Sequence, residues 1–149
     1  FATVQTTEDG QPVLACFAVH PFTNEAMRQF AARSLALPLT VVSDGLGCFT
    51  VVAGIGALHD RTVTGGGKAS VKLPQFRAVN TVLGNLKTAL TGTSHAFDFA
   101  KYAHRYLAEA QYRFNRRFNL ASILARLLRA AAVTPPRAVR SIRTAEIRR

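Results

Sequence analysis

The sequence predicts an α/β fold, with short strands in its first half and helices in its second. Residues 1–6 and 12–19 are rich in apolar and β-forming side chains and flank an Asp-Gly pair, which is typical of a hairpin. From about residue 74 onward, apolar residues recur at helical spacing. A chain of 149 residues, of which 48% are hydrophobic, can bury a core of its own. Strands and helices around one core make a layered fold.

A helix is predicted over residues 21–35, directly after the hairpin. Thr23 or Asn24 can cap its start, and Pro38 ends the segment. The apolar residues that recur at helical spacing here are Met27, Phe30, Ala31 and Leu35.

Weaker signals follow this helix. Residues 39–42 predict a buried strand that runs directly into a Ser-Asp-Gly turn. Residues 49–58 are ambiguous, because two glycines interrupt a short helical pattern. The β-branched residues 61–64 predict an edge strand, and the Gly-Gly-Gly-Lys stretch at 65–68 predicts a flexible loop. That loop lacks the spacing of a phosphate-binding Walker motif.

Three helices are predicted in the second half. They cover residues 74–90, which Gly92 ends, then about 97–118, and finally 120–132. In the first, the expected packing stripe is Phe76, Val79, Val82, Leu83, Leu86 and Leu90. In the last, the residues expected to face inward are Ile123, Leu124, Leu127 and Leu128, with Arg126 and Arg129 outward. Two prolines at 135–136 then break the chain, and the Arg-rich tail is expected to be disordered.

The basic charge is concentrated in the last third of the chain. Residues 1–100 carry seven Lys and Arg against six acidic residues, whereas residues 101–149 carry twelve against two. A charge excess confined to one region indicates nucleic acid or another anionic surface as the partner.

Several classes of function lack support in the sequence. Cys16 and Cys48 have no metal-ligand spacing and are expected to be buried thiols, with a disulfide as the alternative. The four histidines form no zinc pattern, and no motif supports a hydrolytic nucleophile. No apolar run is long enough to span a bilayer, and no secretory signal opens the chain. Because the first residue is Phe, we expect the sequence to be a piece of a longer chain.

Asp44 is the first candidate for a functional carboxylate. It follows a predicted buried strand, and functional groups of open α/β sheets gather at the carboxyl ends of strands. A carboxylate there can hold a divalent cation, since hard cations prefer oxygen ligands. The alternative is that Asp44 only forms a Ser-Asp-Gly turn.

Asn80 and Lys87 form the second candidate. Seven residues are nearly two helical turns, so the two side chains share a helix face about 10 Å apart along the axis. Asn offers a carbonyl oxygen to a metal, and Lys offers a point charge to a phosphate. The alternative is an ordinary solvated face.

Aromatic and basic residues alternate in YRFNRRF, residues 112–118. The arginines Arg113, Arg116 and Arg117 can contact DNA phosphates while the aromatic rings anchor the helix. Lys68 and Lys72 can also touch a DNA backbone. The alternative is a solvated helix end whose arginines favour the C-terminal dipole.

Three blocks of the sequence together resemble a known family. They are VVSDG (41–45), HDRTVTGGGKAS (59–70) and the long block from Phe76 to Phe118 that contains VNTVLGNLK and YRFNRRF. They resemble the C-terminal part of a bacterial insertion-sequence transposase of the DDE type. Within that type, the chain looks like the subgroup that has Asn at the third catalytic position, followed seven residues later by Lys.

The resemblance implies both a fold and a set of site residues. The fold would be a truncated RNase H-like core, with a short mixed sheet flanked by helices, and a helical basic C-terminal extension. The core would cover residues 1–118 without its first strand, and 119–149 would form a helix and an Arg-rich tail. Asp44 and Asn80 match catalytic and metal-binding positions for Mg²⁺ or Mn²⁺, and Lys87 matches a residue that contacts substrate DNA.

The resemblance also implies partners, and the chain departs from the family's pattern at one catalytic position. The expected partners are double-stranded DNA, as element ends and target, and further copies of the intact protein, in the nucleoid region of a bacterial cytoplasm. The expected reaction is DNA cleavage followed by strand transfer. The first catalytic Asp has no counterpart, since Glu8 and Asp9 lie in a turn, so the chain alone is expected to be inactive. A non-catalytic basic DNA-binding module and a basic structural protein are the alternatives.

Overall fold

The chain forms two compact units, Phe1–Lys87 and Thr88–Arg149. The computed structural model describes residues 1–65, 71–93 and 98–144. The first unit holds the strands, and the second is helical.

A β-hairpin opens the first unit. Strands β1 (Ala2–Thr6) and β2 (Pro12–Phe17) pair antiparallel, with Ala2 opposite Phe17. The turn closes through a hydrogen bond from the Gly10 amide to the Thr7 carbonyl at 2.9 Å. Gly10 has a φ of 75°, a conformation that glycine adopts without strain. The predicted hairpin is confirmed.

The first helix, α1 (Asn24–Ser34), is also as predicted. The Thr23 hydroxyl accepts a hydrogen bond from the Ala26 amide at 3.2 Å, so Thr23 is the capping residue. The helix buries Met27 and Phe30.

Two short parallel strands follow, β3 (Thr40–Ser43) and β4 (Leu58–Arg61). A 3₁₀ helix, Gly47–Ile55, connects them where the sequence was ambiguous. An edge strand was predicted at residues 61–64, but β4 begins and ends three residues earlier. Pairing with β3 decides the position of β4, because the Leu58 amide donates to the Leu39 carbonyl at 3.0 Å.

The core of the first unit lies between α1 and the 3₁₀ helix. Partly buried residues of the hairpin and of β3 pack against it. Its buried members are Met27, Phe30, Ala31, Cys48, Val52 and Ala57. The sheet content is mixed, as expected, and the described residues divide it into two two-stranded pieces, β1-β2 and β3-β4. This α/β arrangement is consistent with a truncated RNase H-like core.

A long helix, α2 (Arg77–Thr93), follows a short 3₁₀ turn, Pro74–Phe76. Gly92 does not end it, contrary to the prediction, since one glycine inside a helix costs only about 1 kcal/mol. Phe76 and Val82 of the predicted stripe are buried, but Leu83 is 39% exposed. Ala78, one turn before Val82 on the same face, is buried instead.

The second unit contains α3 (Phe99–Asn115), α4 (Ala121–Val133) and α5 (Val139–Arg143). The Asp98 carboxylate caps α3 by accepting from the Lys101 amide at 3.1 Å. The short helix α5 lies where a disordered tail was predicted. It is held by α3, because Tyr102 Oη and Arg105 Nη1 each donate at 3.0 Å to carbonyls near its C-terminal end.

The predicted inward stripe of α4 is wrong. Leu124, Leu127 and Leu128 are 67%, 54% and 63% exposed, and no residue of α4 is buried. The amphipathic pattern is therefore present, but no described element covers its apolar side.

Candidate active site and nucleic-acid surface

Asp44 lies immediately after β3 and is exposed. Its Oδ1 accepts a hydrogen bond from the Leu46 backbone amide at 3.3 Å, so the carboxylate does shape the turn. An ionised carboxylate can accept several such bonds, and one turn contact leaves capacity for a further ligand. The turn role and the ligand role are therefore compatible.

The turn after Asp44 is constrained on both sides. Gly45 has a φ of 89°, and a side chain added there would lie 3.1 Å from the Val63 Cα atom. Arg61, the last residue of β4, donates from Nε and Nη2 to the Gly45 carbonyl at 3.2 and 2.9 Å. The end of β3 is thus tied to the end of β4, and the Asp44 backbone has little freedom.

A buried polar pair supports the same strand ends. Ser43 is only 6% exposed, and its Oγ lies 2.9 Å from His59 Nε2 on β4. Because this hydroxyl is buried, the pair braces the two strands rather than presenting a nucleophile. The sequence gives no local signal for this role of His59, because the contact exists only across a pair of parallel strands.

Asp60 is a second carboxylate near the strand ends, and it was not predicted from the sequence. It pairs in register with Val42 on β3, and both residues are exposed. Side chains of paired residues point to the same face of a sheet. Asp60 therefore lies on the solvent face of β4. It is level with Val42 of the neighbouring strand, which precedes Asp44 by two residues. The parallel register is the signal that identifies it.

Asn80 and Lys87 both lie on α2, as predicted. Asn80 is half-buried and Lys87 is exposed. The start of this segment approaches β4 through a weak contact of 3.5 Å between Gln75 Nε2 and Thr62 Oγ1. Among the described residues, no hydrogen bond joins Asp44 to Asn80.

Asp44 and Asn80 are the two residues predicted to bind a metal. Asp44 and Asn80 supply one carboxylate and one neutral amide. In the parts of the chain that the structure describes, no group of three or more His, Cys, Asp or Glu side chains could hold a metal ion. A two-cation centre needs more negative charge than this pair provides.

Stacked arginines characterise residues 112–118, which we call the arginine–aromatic segment. The Arg116 Cζ atom lies 4.0 Å from the Tyr112 ring centroid. Arg117 lies 3.9 and 4.3 Å from the rings of Phe114 and Phe118 and donates to the Phe114 carbonyl at 2.8 Å. Stacking orients a guanidinium group while its edge can still donate to phosphate.

The other basic residues of interest differ in their surroundings. Arg113 is exposed and forms an ion pair with Glu109 at 3.4 Å. Lys72 is exposed in the turn that precedes α2. Lys68 lies outside the described residues. No helix among the described residues is long and apolar enough to cross a membrane.

Comparison with known proteins identifies the family. A family model described as an ISXO2-like transposase domain matches residues 1–115, which is most of the chain. No curated protein and no solved structure gives a significant match. The matched range includes the candidate site residues Asp44, Asn80 and Lys87 and the candidate DNA-binding residue Arg113. The chain therefore belongs to the ISXO2-like transposase domain family, a family of insertion-sequence transposases of the DDE type.

Proposed function

We propose that this chain contributes Asp44, Asn80 and Lys87 to a DNA-cleaving and strand-joining site. The observation that carries the proposal is the position of Asp44, which directly follows β3, one of two paired parallel strands in a transposase-family domain. The proposed reaction is metal-dependent cleavage at the ends of an insertion sequence, followed by transfer of the cut strand into target DNA. The protein would act on DNA in the bacterial nucleoid.

Each residue has a distinct proposed role. The Asp44 carboxylate and the Asn80 amide oxygen would bind Mg²⁺ or Mn²⁺, because these cations prefer oxygen ligands. Lys87 would contact a phosphate of the substrate DNA about two helical turns further along α2. This spacing suits a DNA strand that follows the helix. We also propose that the chain belongs to the transposase subgroup in which the catalytic Asn is followed seven residues later by Lys. The proposed catalytic core covers residues 1–118, and residues 119–149 are the C-terminal extension.

We further propose that the chain alone does not cleave DNA. Asp44 and Asn80 provide one formal negative charge, and a pair of divalent cations with a phosphate needs more carboxylate ligands. Asp60 offers one on the neighbouring strand. Even with Asp60, activity would require an acidic residue beyond those that the described chain brings together. We also propose that the complete assembly contains more than one copy.

The test joins this chain to the in-frame segment encoded directly before it. Mg²⁺- or Mn²⁺-dependent nicking of element-end DNA should appear in the joined protein and fall to background in its Asp44→Ala variant. The matched control is Asp9→Ala, since Asp9 lies in the hairpin turn. Nicking that survives Asp44→Ala, or joined protein that folds and binds but never nicks, would remove the catalytic proposal.

The second candidate is a basic DNA-binding module without catalysis. It is favoured by the charge of residues 101–149, where twelve basic residues face two acidic ones, and by the stacked arginines. Binding to duplex DNA should then weaken steeply with rising salt, because phosphate contacts release counterions. Affinity that does not change with salt would contradict both candidates.

A further inference from the structure

Arg61 ends β4 and carries a positive charge that no described carboxylate neutralises. The residue is exposed, and it is level with Ser43, the last residue of β3. Its Nε and Nη2 atoms both donate to the Gly45 carbonyl, at 3.2 and 2.9 Å. No ion pair joins Arg61 to an acidic residue among the residues that the structure describes. Because a carbonyl is a neutral acceptor, the guanidinium keeps its charge beside the turn that contains Asp44.

The contact with the Gly45 carbonyl uses only one edge of the guanidinium group. Arginine has five N–H groups, and two of them are directed at this carbonyl. The other three, which include both on Nη1, have no acceptor within the described parts of the chain. Two parallel N–H groups on such an edge match two oxygens of a phosphate. The unused edge is therefore suited to that anion.

The two strands have other contacts that hold their ends together. The Thr62 amide donates to the Ser43 carbonyl at 2.9 Å, and the buried Ser43 hydroxyl lies 2.9 Å from His59 Nε2. An additional exposed tie adds little to this pairing, since water competes for exposed hydrogen bonds. A role in binding an anion therefore accounts better for a charged group at this position.

The surroundings of Asp44 indicate where that anion would lie. The Asp44 carboxylate accepts from the Leu46 amide, whereas the Arg61 guanidinium donates to the Gly45 carbonyl. The two opposite charges are thus bonded to different partners and do not form an ion pair with each other. A DNA phosphate at these strand ends would meet unused N–H donors next to the proposed cleaving carboxylate.

We propose that Arg61 binds a phosphate of the substrate DNA beside the candidate active site, while it holds the Gly45 carbonyl and so positions Asp44. The inference rests on the proposed function, because it takes DNA as the ligand and Asp44 as a residue of the cleaving site. The contact is separate from that of Lys87, which lies on α2.

The salt dependence of duplex DNA binding by the full chain tests the phosphate contact. Arg61→Gln removes the charge but keeps an N–H donor for the Gly45 carbonyl. It should reduce the slope of log affinity against log salt by about 1, as expected for one lost phosphate contact. Arg61→Lys keeps the charge and should keep the slope. The matched control is Arg33→Ala, which removes another exposed arginine, from α1, and should leave the slope unchanged.

Cleavage by the joined protein described above tests the positioning role. Lysine has no planar fork to direct two N–H groups at one carbonyl. Arg61→Lys should therefore bind DNA like the native protein but lower kcat about tenfold, because a displaced carboxylate slows the reaction. Both variants should keep the native circular dichroism spectrum, since the contacts of Ser43 with Thr62 and His59 remain.

Each part of the proposal has a result that would overturn it. An unchanged salt slope in Arg61→Gln would show that Arg61 does not contact phosphate. Native kcat in Arg61→Lys would show that it does not position Asp44. A native joined protein that never nicks DNA would refute the proposed function and the positioning role with it. The salt titration needs no cleavage, so in that case it still decides whether Arg61 contacts phosphate.

Discussion

Asp44 illustrates how one residue can serve the fold and the site at once. Its Oδ1 accepts the Leu46 amide, while Gly45 and Arg61 fix the turn in which it lies. A functional carboxylate gains from such fixation, because its position does not have to be restored when a ligand binds. Residues that never touch a ligand can thus be as necessary as the carboxylate.

Gly45→Ala should destabilise the first unit by more than about 1 kcal/mol, since alanine is strained at positive φ. The added methyl group would also approach the Val63 backbone to 3.1 Å. Urea unfolding measures the change. Gly47→Ala is the control, because Gly47 has no close neighbour within 4 Å, and it should leave the midpoint nearly unchanged. Equal losses in both variants would show that the turn is not constrained.

Glu25 should give the first unit a small pH dependence. Hydrogen bonds from Gln29, at 2.9 Å, and from Arg28, at 2.8 Å, lower the pKa of the Glu25 carboxyl below 4.5. A lowered pKa in the folded state adds stability above the ordinary pKa, and that stability is lost as the pH falls through the folded value.

Urea midpoints from pH 7 to pH 3 should therefore converge for the native chain and Glu25→Gln as the pH drops. The difference is small, because the carboxylate is exposed and screened by solvent. A gap between the two proteins that stays constant or widens toward pH 3 would contradict the assignment.

At the scale of elements, local signals act most clearly at helix starts. The Thr23 hydroxyl accepts the Ala26 amide, one of the donors that an α-helix leaves unpaired at its first turn. Thr23→Ala should lower the free energy of unfolding by about 1 kcal/mol, and Thr23→Ser should retain most of it. Denaturant titration followed by circular dichroism distinguishes the two. Loss of stability in the serine variant would point to packing of the threonine methyl group.

The arginine–aromatic segment should contribute to DNA affinity independently of sequence. Arg116→Ala should weaken duplex binding and reduce the slope of log affinity against log salt by about 1, as expected for one lost phosphate contact. Arg28→Ala is the control, because Arg28 is paired with Glu25 on α1. An unchanged slope in Arg116→Ala would show that the Tyr112–Arg116 stack serves only the fold of α3.

Elements defined by neighbouring residues were predictable, and elements defined by distant pairing were not. The hairpin and α1 follow from local turn, cap and periodicity signals. Strand β4 lies three residues earlier than predicted, because its register depends on hydrogen bonds to β3. His59 and Asp60 were missed for the same reason. Their relation to Ser43 and Val42 exists only once the two strands are parallel.

At the scale of the whole molecule, the fold class, the family and the uneven charge could be read from the sequence. Which element covers the apolar face of each helix could not be predicted. Periodicity shows that a face is apolar but not what covers it, and α4 has an apolar stripe that no described element buries. Likewise, Asp44 directly follows β3 and Asn80 lies on α2. Their coming together stays a prediction, because it depends on long-range packing and on ligands.

The tyrosines of α3 have a consequence for spectroscopy. The chain has no tryptophan and three tyrosines, Tyr102, Tyr106 and Tyr112, and all three lie on this helix. Tyrosine fluorescence therefore reports on the second unit alone, while far-ultraviolet dichroism reports on both. The Tyr112 ring is stacked by Arg116, and its hydroxyl is buried without a hydrogen-bond partner among the described residues. Emission and dichroism recorded during one titration would thus distinguish unfolding of the second unit from unfolding of the whole chain, with no label attached.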